Sequence, residues 1–328
     1  MNAADPSHPS RAPAPAPEDG PPGVLLALGY GYSARALAGR LVAEGWRVIG
    51  TTRRAEKAEA IAADGAEPLL WSAEAGPGPA LETALAEATH LLASAAPDPA
   101  VAATRPASGG DPALAALGAG IAAGARAGTL RWAGYLSTTG VYGDRAGGWV
   151  DEDGPLTPGT ARGRARVAAE AAWQALAAES GLALHIFRLA GIYGPGRGPF
   201  AKVRAGTARR ILKPGQVFSR IHVEDIAAAL EASIRQPRPG AVYNLCDDEA
   251  APPEDVLAHA AALLGLPPPP AVDFEAAEMS AMARSFYAES KRVSNARAKR
   301  ELGLMLRFPT YREGLAALLA EEEKAAAG

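Results

Sequence analysis

The segment Gly29-Tyr30-Gly31-Tyr32-Ser33-Ala34 has the spacing of a turn that cradles phosphate. Gly29 permits a tight bend, Gly31 lets backbone approach a pyrophosphate, and Ala34 is small enough for a helix to pack closely on a strand. Tyr32 and Ser33 lie within the same turn, where the following helix aims free N–H groups and its positive dipole end at an anion. Sheets that bind NAD usually place an acidic residue about 20 positions further on, to accept from the ribose 2′-hydroxyl. This chain has Thr51-Thr52-Arg53-Arg54 there instead. Guanidinium forks match phosphate oxygens, so Thr51, Arg53 and Arg54 point to a 2′-phosphate and to NADP(H) over NAD(H). The competing reading is a solvated strand end.

These residues need rigid elements to hold them. Apolar Val24 to Leu28 reads as a buried strand, Ala34 to Glu44 as a helix closed by Gly45, and Trp46 to Gly50 as a second strand. Ala55 to Ala63 has helical composition, and Pro68 to Trp71 reads as a third strand. His90 to Ala93 reads as a strand leaving through the small residues Ser94, Ala95 and Ala96, which leave room for a ligand at the adenosine side. A helix over Pro112 to Ala127, a strand over Leu130 to Ser137, a helix over Pro158 to Glu179 and a strand over Ala183 to Leu189 complete the alternation. That order predicts an α/β fold, a doubly wound parallel Rossmann sheet. Beyond about residue 190 the rhythm loosens into Gly- and Pro-rich turns, and the four prolines Pro267 to Pro270 read as a linker. The expected organisation is a tail over 1–22, a nucleotide-binding domain over 23–246 with a substrate-side insertion at about 191–220, and a smaller substrate-side region over 247–328.

Composition narrows the function classes. The 328 residues are 48% hydrophobic and 21% charged, with net charge −3, which suits a globular protein with a substantial core. No basic stripe with interleaved aromatics is present, so nucleic acid is not an expected partner. No apolar run approaches the ~20 residues needed to cross a bilayer, so no membrane association and a cytoplasmic location are expected. The single Cys246 excludes an intrachain disulfide framework and reads as a packing residue. His8, His90, His185, His222 and His259 are dispersed, and no metal site is expected. The proline- and alanine-rich stretch up to Pro22 reads as a solvated leader without the apolar core of a secretory signal.

Several further segments together resemble the extended short-chain dehydrogenase/reductase group, the family of nucleotide-sugar epimerases and dehydratases. They are Tyr135-Leu136-Ser137-Thr138-Thr139-Gly140-Val141-Tyr142-Gly143, Val150-Asp151-Glu152, Phe187-Arg188-Leu189 through Gly196, Ile221-His222-Val223-Glu224-Asp225, Tyr243-Asn244-Leu245 and Ser290 to Asn295. The resemblance covers nearly everything from Val24 onward and implies that Thr138 donates to a substrate oxygen. It also exposes a departure. Where the family carries Tyr-x-x-x-Lys on the next long helix, this chain has Arg162 and Arg166. The usual chemistry uses the tyrosine phenol as general acid and base, and such a group works best with a pKa near the working pH. Arginine stays protonated and cannot take that part.

What remains to the two arginines is binding. At i and i+4 they share one helix face, so Arg166 is suited to the nicotinamide-ribose hydroxyls and Arg162 to an anionic or carbonyl group of the substrate. A solvated basic face is the alternative. His222 is expected to orient a loop, Tyr193 is a spare phenol, and Lys213 and Arg220 flank a turn where an acidic substrate would pass. The resulting expectation is an atypical NADP(H)-dependent oxidoreductase or epimerase-like protein acting on a carbonyl or hydroxyl of a small metabolite or nucleotide sugar. The alternative is a noncatalytic NADP(H) sensor. A homodimer is the assembly left open.

Overall fold

A computed structural model describes residues 22–327 of the protein. Apart from Pro22, the expected tail lies outside the described residues.

The chain opens with β1 (Val24–Leu28), α1 (Tyr32–Ala43), β2 (Arg47–Thr52), α2 (Ala58–Ala63), β3 (Glu67–Leu70), α3 (Gly78–Glu87) and β4 (His90–Ala93). It continues through α4 (Pro99–Thr104), α5 (Pro112–Arg126), β5 (Trp132–Thr138), β6 (Trp149–Val150), α6 (Ala161–Ser180) and β7 (Leu184–Leu189). Then follow β8 (Gly191–Tyr193), α7 (Phe200–Arg204), β9 (Arg210–Leu212), β10 (Arg220–His222), α8 (Val223–Arg235) and β11 (Ala241–Leu245). The last elements are α9 (Pro253–Leu263), β12 (Ala271–Asp273), α10 (Ala281–Phe286), β13 (Arg292–Val293), α11 (Ala296–Leu302) and α12 (Tyr311–Ala327).

Seven strands form one parallel sheet in the order β3-β2-β1-β4-β5-β7-β11. Strand order reverses between β1 and β4, and in such sheets ligands bind beyond the C-terminal strand ends at that point. Helices cover both faces, which is why β1 is apolar throughout rather than alternating. Leu25 and Ala27 pack with Leu37, Leu41 and Phe187 on one face. Leu26 and Leu28 pack with Leu117, Ile121 and Trp173 on the other. A separate core of Phe200, Val203, Ala260, Tyr311 and Leu315 lies under the segments past β8.

Helix boundaries shift from the sequence expectation for local reasons. Helix α1 begins at Tyr32 because Gly31 holds the extended N-cap conformation. Helix α6 begins at Ala161, where Thr160 accepts from the Gly163 N–H, and not at Pro158. Short parallel pairs β8 with β10, β9 with β12 and β6 with β13 stitch the irregular region together. The proline run links α9 to β12, as expected, and the carbonyls of Pro269 and Pro270 accept from Arg210 as it enters β9.

Two sheet histidines are internal. His185 accepts from the Arg238 backbone N–H at 2.7 Å and stacks on Trp132. Burial pushes the imidazoles of His90 and His185 down to about 4. A depressed folded value contributes stability that is full above the unfolded value near 6.5 and is lost as pH falls toward 4. The destabilisation caused by His185→Gln, measured by urea denaturation, is therefore expected to shrink by about 2 kcal/mol between pH 7 and pH 5. A gap independent of pH contradicts the buried neutral imidazole.

Candidate functional site

The glycine turn is built to leave backbone donors open. Gly29 has φ +95°, and a Cβ there would sit 2.8 Å from Ser94 Oγ. Ser94 Oγ donates to the Gly29 carbonyl, and Thr51 Oγ1 accepts from the Gly29 N–H at 2.7 Å. Thr51 and Ser94 thus shape the turn from the neighbouring strand ends. No side chain caps the first turn of α1, and a Cβ on Gly31 would meet nothing within 4 Å. Open space beside an uncapped helix N-terminus is what a pyrophosphate requires. These residues fit a dinucleotide.

A cleft of about 920 Å³ runs from this turn across the ends of β4, β5 and β7. It brings together Gly31, Tyr32, Ser33, Ala34, Ser94, Thr138, Arg162 and Arg166 from α1, β5, α6 and the loops after β1 and β4. It does not include Gly29, Thr51, Arg53, Arg54, Ala95 or Ala96 in its walls. Arg53 and Arg54 are exposed just beyond β2, with Arg54 Nε 3.6 Å from Glu56. Tyr32 reaches over the cleft to donate to the Pro195 carbonyl at 2.9 Å, and the Arg197 guanidinium lies 5.7 Å from the Tyr32 ring centroid. Arg197 was not singled out in the sequence, because nothing local to its loop shows that it closes on the glycine turn.

At the far end, Thr138 Oγ1 accepts from the Gly140 N–H at 3.2 Å, which caps the strand end and leaves the hydroxyl proton without a protein acceptor among the described residues. Arg166 donates to the Tyr135 hydroxyl at 3.0 Å and to the Leu136 carbonyl at 2.7 Å. That pins its guanidinium against β5. Arg162 is exposed in the first turn of α6, 5.7 Å from the centroid of Phe286 on α10. Lys213 donates to the Tyr287 carbonyl, while Arg220 lines the cleft and gives one nitrogen to the carbonyls of Phe218 and Ala251.

No phenol here is tuned to act as a base. Burial raises Tyr32, Tyr135, Tyr142 and Tyr193 above the usual tyrosine value, and Asp247 and Asp225 push Tyr193 further. Tyr193 keeps its proton. His222 is pushed down to about 4 by burial and by Arg307, and its Nδ1 accepts from the Glu224 N–H to cap α8. Its part is to orient the loop.

Beneath the cleft lies a buried polar network. Arg188 on β7 pairs with Glu170 on α6 at 2.8 Å, both side chains at most 4% exposed. Ser137 donates to Glu170, and Arg188 also donates to the Tyr142 hydroxyl at 2.9 Å and the Glu152 carbonyl. Tyr142 passes a hydrogen bond to Asn244 on β11 at 2.7 Å, and Glu152 accepts from the Asn244 N–H. The sequence held one clue: an arginine inside the apolar strand Phe187-Arg188-Leu189 demands a buried acceptor.

Comparison with known proteins bears directly on this architecture. The sequence model of the NAD dependent epimerase/dehydratase family matches residues 25–246. The chain belongs to this family. A conserved protein of unknown function from Silicibacter pomeroyi is 59% identical, with TM-score 0.81 over 92% of this chain and 99% of that one. MoeE5, solved with UDP-glucose and NAD, has TM-score 0.69 at 23% identity over 93% and 99% of the two chains, which shows the shared fold. A 3-diazoavenalumate denitrifying reductase from Streptomyces is 33% identical over 51% of this chain and 58% of its own length. Protein YeeZ of Escherichia coli K12 is 37% identical over 41% and 47%. The matched region thus spans about half the length of these two relatives. Among the described residues no helix is long and apolar enough to cross a membrane.

Breaking the Arg188 pair leaves Glu170 charged and unmatched in the interior. Arg188→Met is expected to cost about 3–5 kcal/mol in chemical denaturation, and Arg188→Met with Glu170→Leu to recover part of that loss. A single variant as stable as the wild type contradicts the pairing.

Proposed function

We propose that this protein is an NADP(H)-dependent reductase that transfers hydride without a tyrosine general acid. The observation that carries the reading is the convergence of Thr138, Arg162 and Arg166 on one cleft whose other end is an uncapped glycine-turn helix. The reductase relative supports reduction over epimerisation, although it aligns over only about half of this chain.

Gly31, Ser33 and the first turn of α1 would hold the pyrophosphate, with Arg53 and Arg54 on the 2′-phosphate. The bound nicotinamide supplies a hydride donor or acceptor. Arg166, already fixed by Tyr135 and Leu136, has further donors for ribose hydroxyls. The Thr138 hydroxyl donates to the substrate oxygen. Arg162 opposes negative charge on the substrate, an electrostatic contribution that needs no proton transfer. The proton itself then comes through Thr138 or from water, because a guanidinium does not release one.

The raised phenols also favour a second reading, a noncatalytic NADP(H) sensor. Following nicotinamide absorbance with NADPH and a panel of carbonyl compounds separates the two. Turnover that disappears in Thr138→Ala supports the reductase, and tight NADPH binding without turnover supports the sensor. For the cofactor, Arg53→Ala is expected to weaken NADPH by about 1.5–3 kcal/mol and NADH much less. Equal weakening of both removes the 2′-phosphate assignment.

A further inference from the structure

We propose that the Arg162 end of the cleft is a carboxylate site, and that the molecule it binds is a small planar monocarboxylate rather than a nucleotide diphosphate. The inference rests on the nicotinamide reading above and names the substrate class of that site.

The cations of the cleft are mostly committed. Arg166 is held by Tyr135 and Leu136, and Lys291 pairs with Glu289 at 2.7 Å. Arg220 gives a nitrogen to two backbone carbonyls, and Arg197 lies over Tyr32 at the cofactor turn. Arg162 alone at the substrate end has no carboxylate or carbonyl partner among the described residues. Its contact is the ring of Phe286, which is 54% exposed.

Each part of that arrangement has a use. A guanidinium presents a planar fork that takes a carboxylate through two parallel hydrogen bonds. An aromatic face behind it excludes water from one side and strengthens those bonds. The rest of the Phe286 ring, a large apolar surface open to the cleft, offers a stacking face for a flat unsaturated group. At the substrate end one guanidinium free of protein hydrogen bonds among the described residues matches one carboxylate. A diphosphate would bring at least two negative charges, while the neighbouring Arg166 and Arg220 already give nitrogens to protein hydroxyl and carbonyl groups.

The test uses the full chain loaded with NADPH and follows nicotinamide fluorescence. Cinnamate, its neutral amide and UDP are titrated separately into the wild type and into Arg162→Ala, Arg162→Lys and Phe286→Ala. Cinnamate is expected to bind at least about tenfold tighter than the amide. Arg162→Ala should erase that preference, Arg162→Lys should keep part of it, and Phe286→Ala should weaken acid and amide alike. Equal binding of acid and amide, a preference that survives Arg162→Ala, or UDP binding tighter than cinnamate overturns the carboxylate site. Failure of NADPH itself to bind overturns the cofactor reading and this site together, whereas NADPH binding without acid preference overturns the site alone.

Discussion

The ion pair between Glu170 and Arg188 is the constraint on which the site depends. Two charges that are nearly sealed from water tolerate little displacement, because any gap leaves one of them unpaired in low dielectric. Helix α6 is therefore fixed in rotation and height against β7. Ser137 ties the same carboxylate to β5, and Tyr142 with Asn244 extends the lock to β11. Arg162 and Arg166 stand two turns and one turn before Glu170 on α6, so the pair that anchors the helix also sets where both guanidiniums reach the cleft.

Above that lock, the cleft is arranged by charge. Its glycine end offers unsatisfied N–H groups, and its far end offers guanidiniums, one pinned to Tyr135 and Leu136 and one resting on Phe286. Phenols nearby are held protonated by burial. The site is thus suited to bind anions and to stabilise a developing oxyanion, and poorly suited to remove a proton. Where the family resemblance leads one to expect a tyrosine and a lysine on the long helix, this chain keeps the scaffold and carries Arg162 and Arg166.

Much of the scaffold was legible in the residues. The strand at Val24–Leu28 and the glycine turn were readable because both faces of a covered parallel sheet are apolar and only glycine suits the bend at Gly29. Thr138, Arg162 and Arg166 were found as positions and do meet in one cleft. Less legible were the short strands β8, β9, β10, β12 and β13, each of two or three residues, which carry no periodicity for a sequence to display. The proline run was legible as a connection without helix, between α9 and β12, but stiffness says nothing of which backbone its carbonyls will meet.

By itself, the sequence determined the local chemistry: which turn opens a helix toward phosphate, which side chains carry permanent charge, and that no tyrosine stands one turn before Arg166. Tertiary structure decided which charges remain free. Arg188 and Arg162 are the same residue type, yet one is buried against Glu170 and the other faces the cleft over Phe286, more than 100 positions away in the chain. Partnership of that kind depends on distance in space and on exclusion of water, and neither is a property of neighbouring residues along the chain.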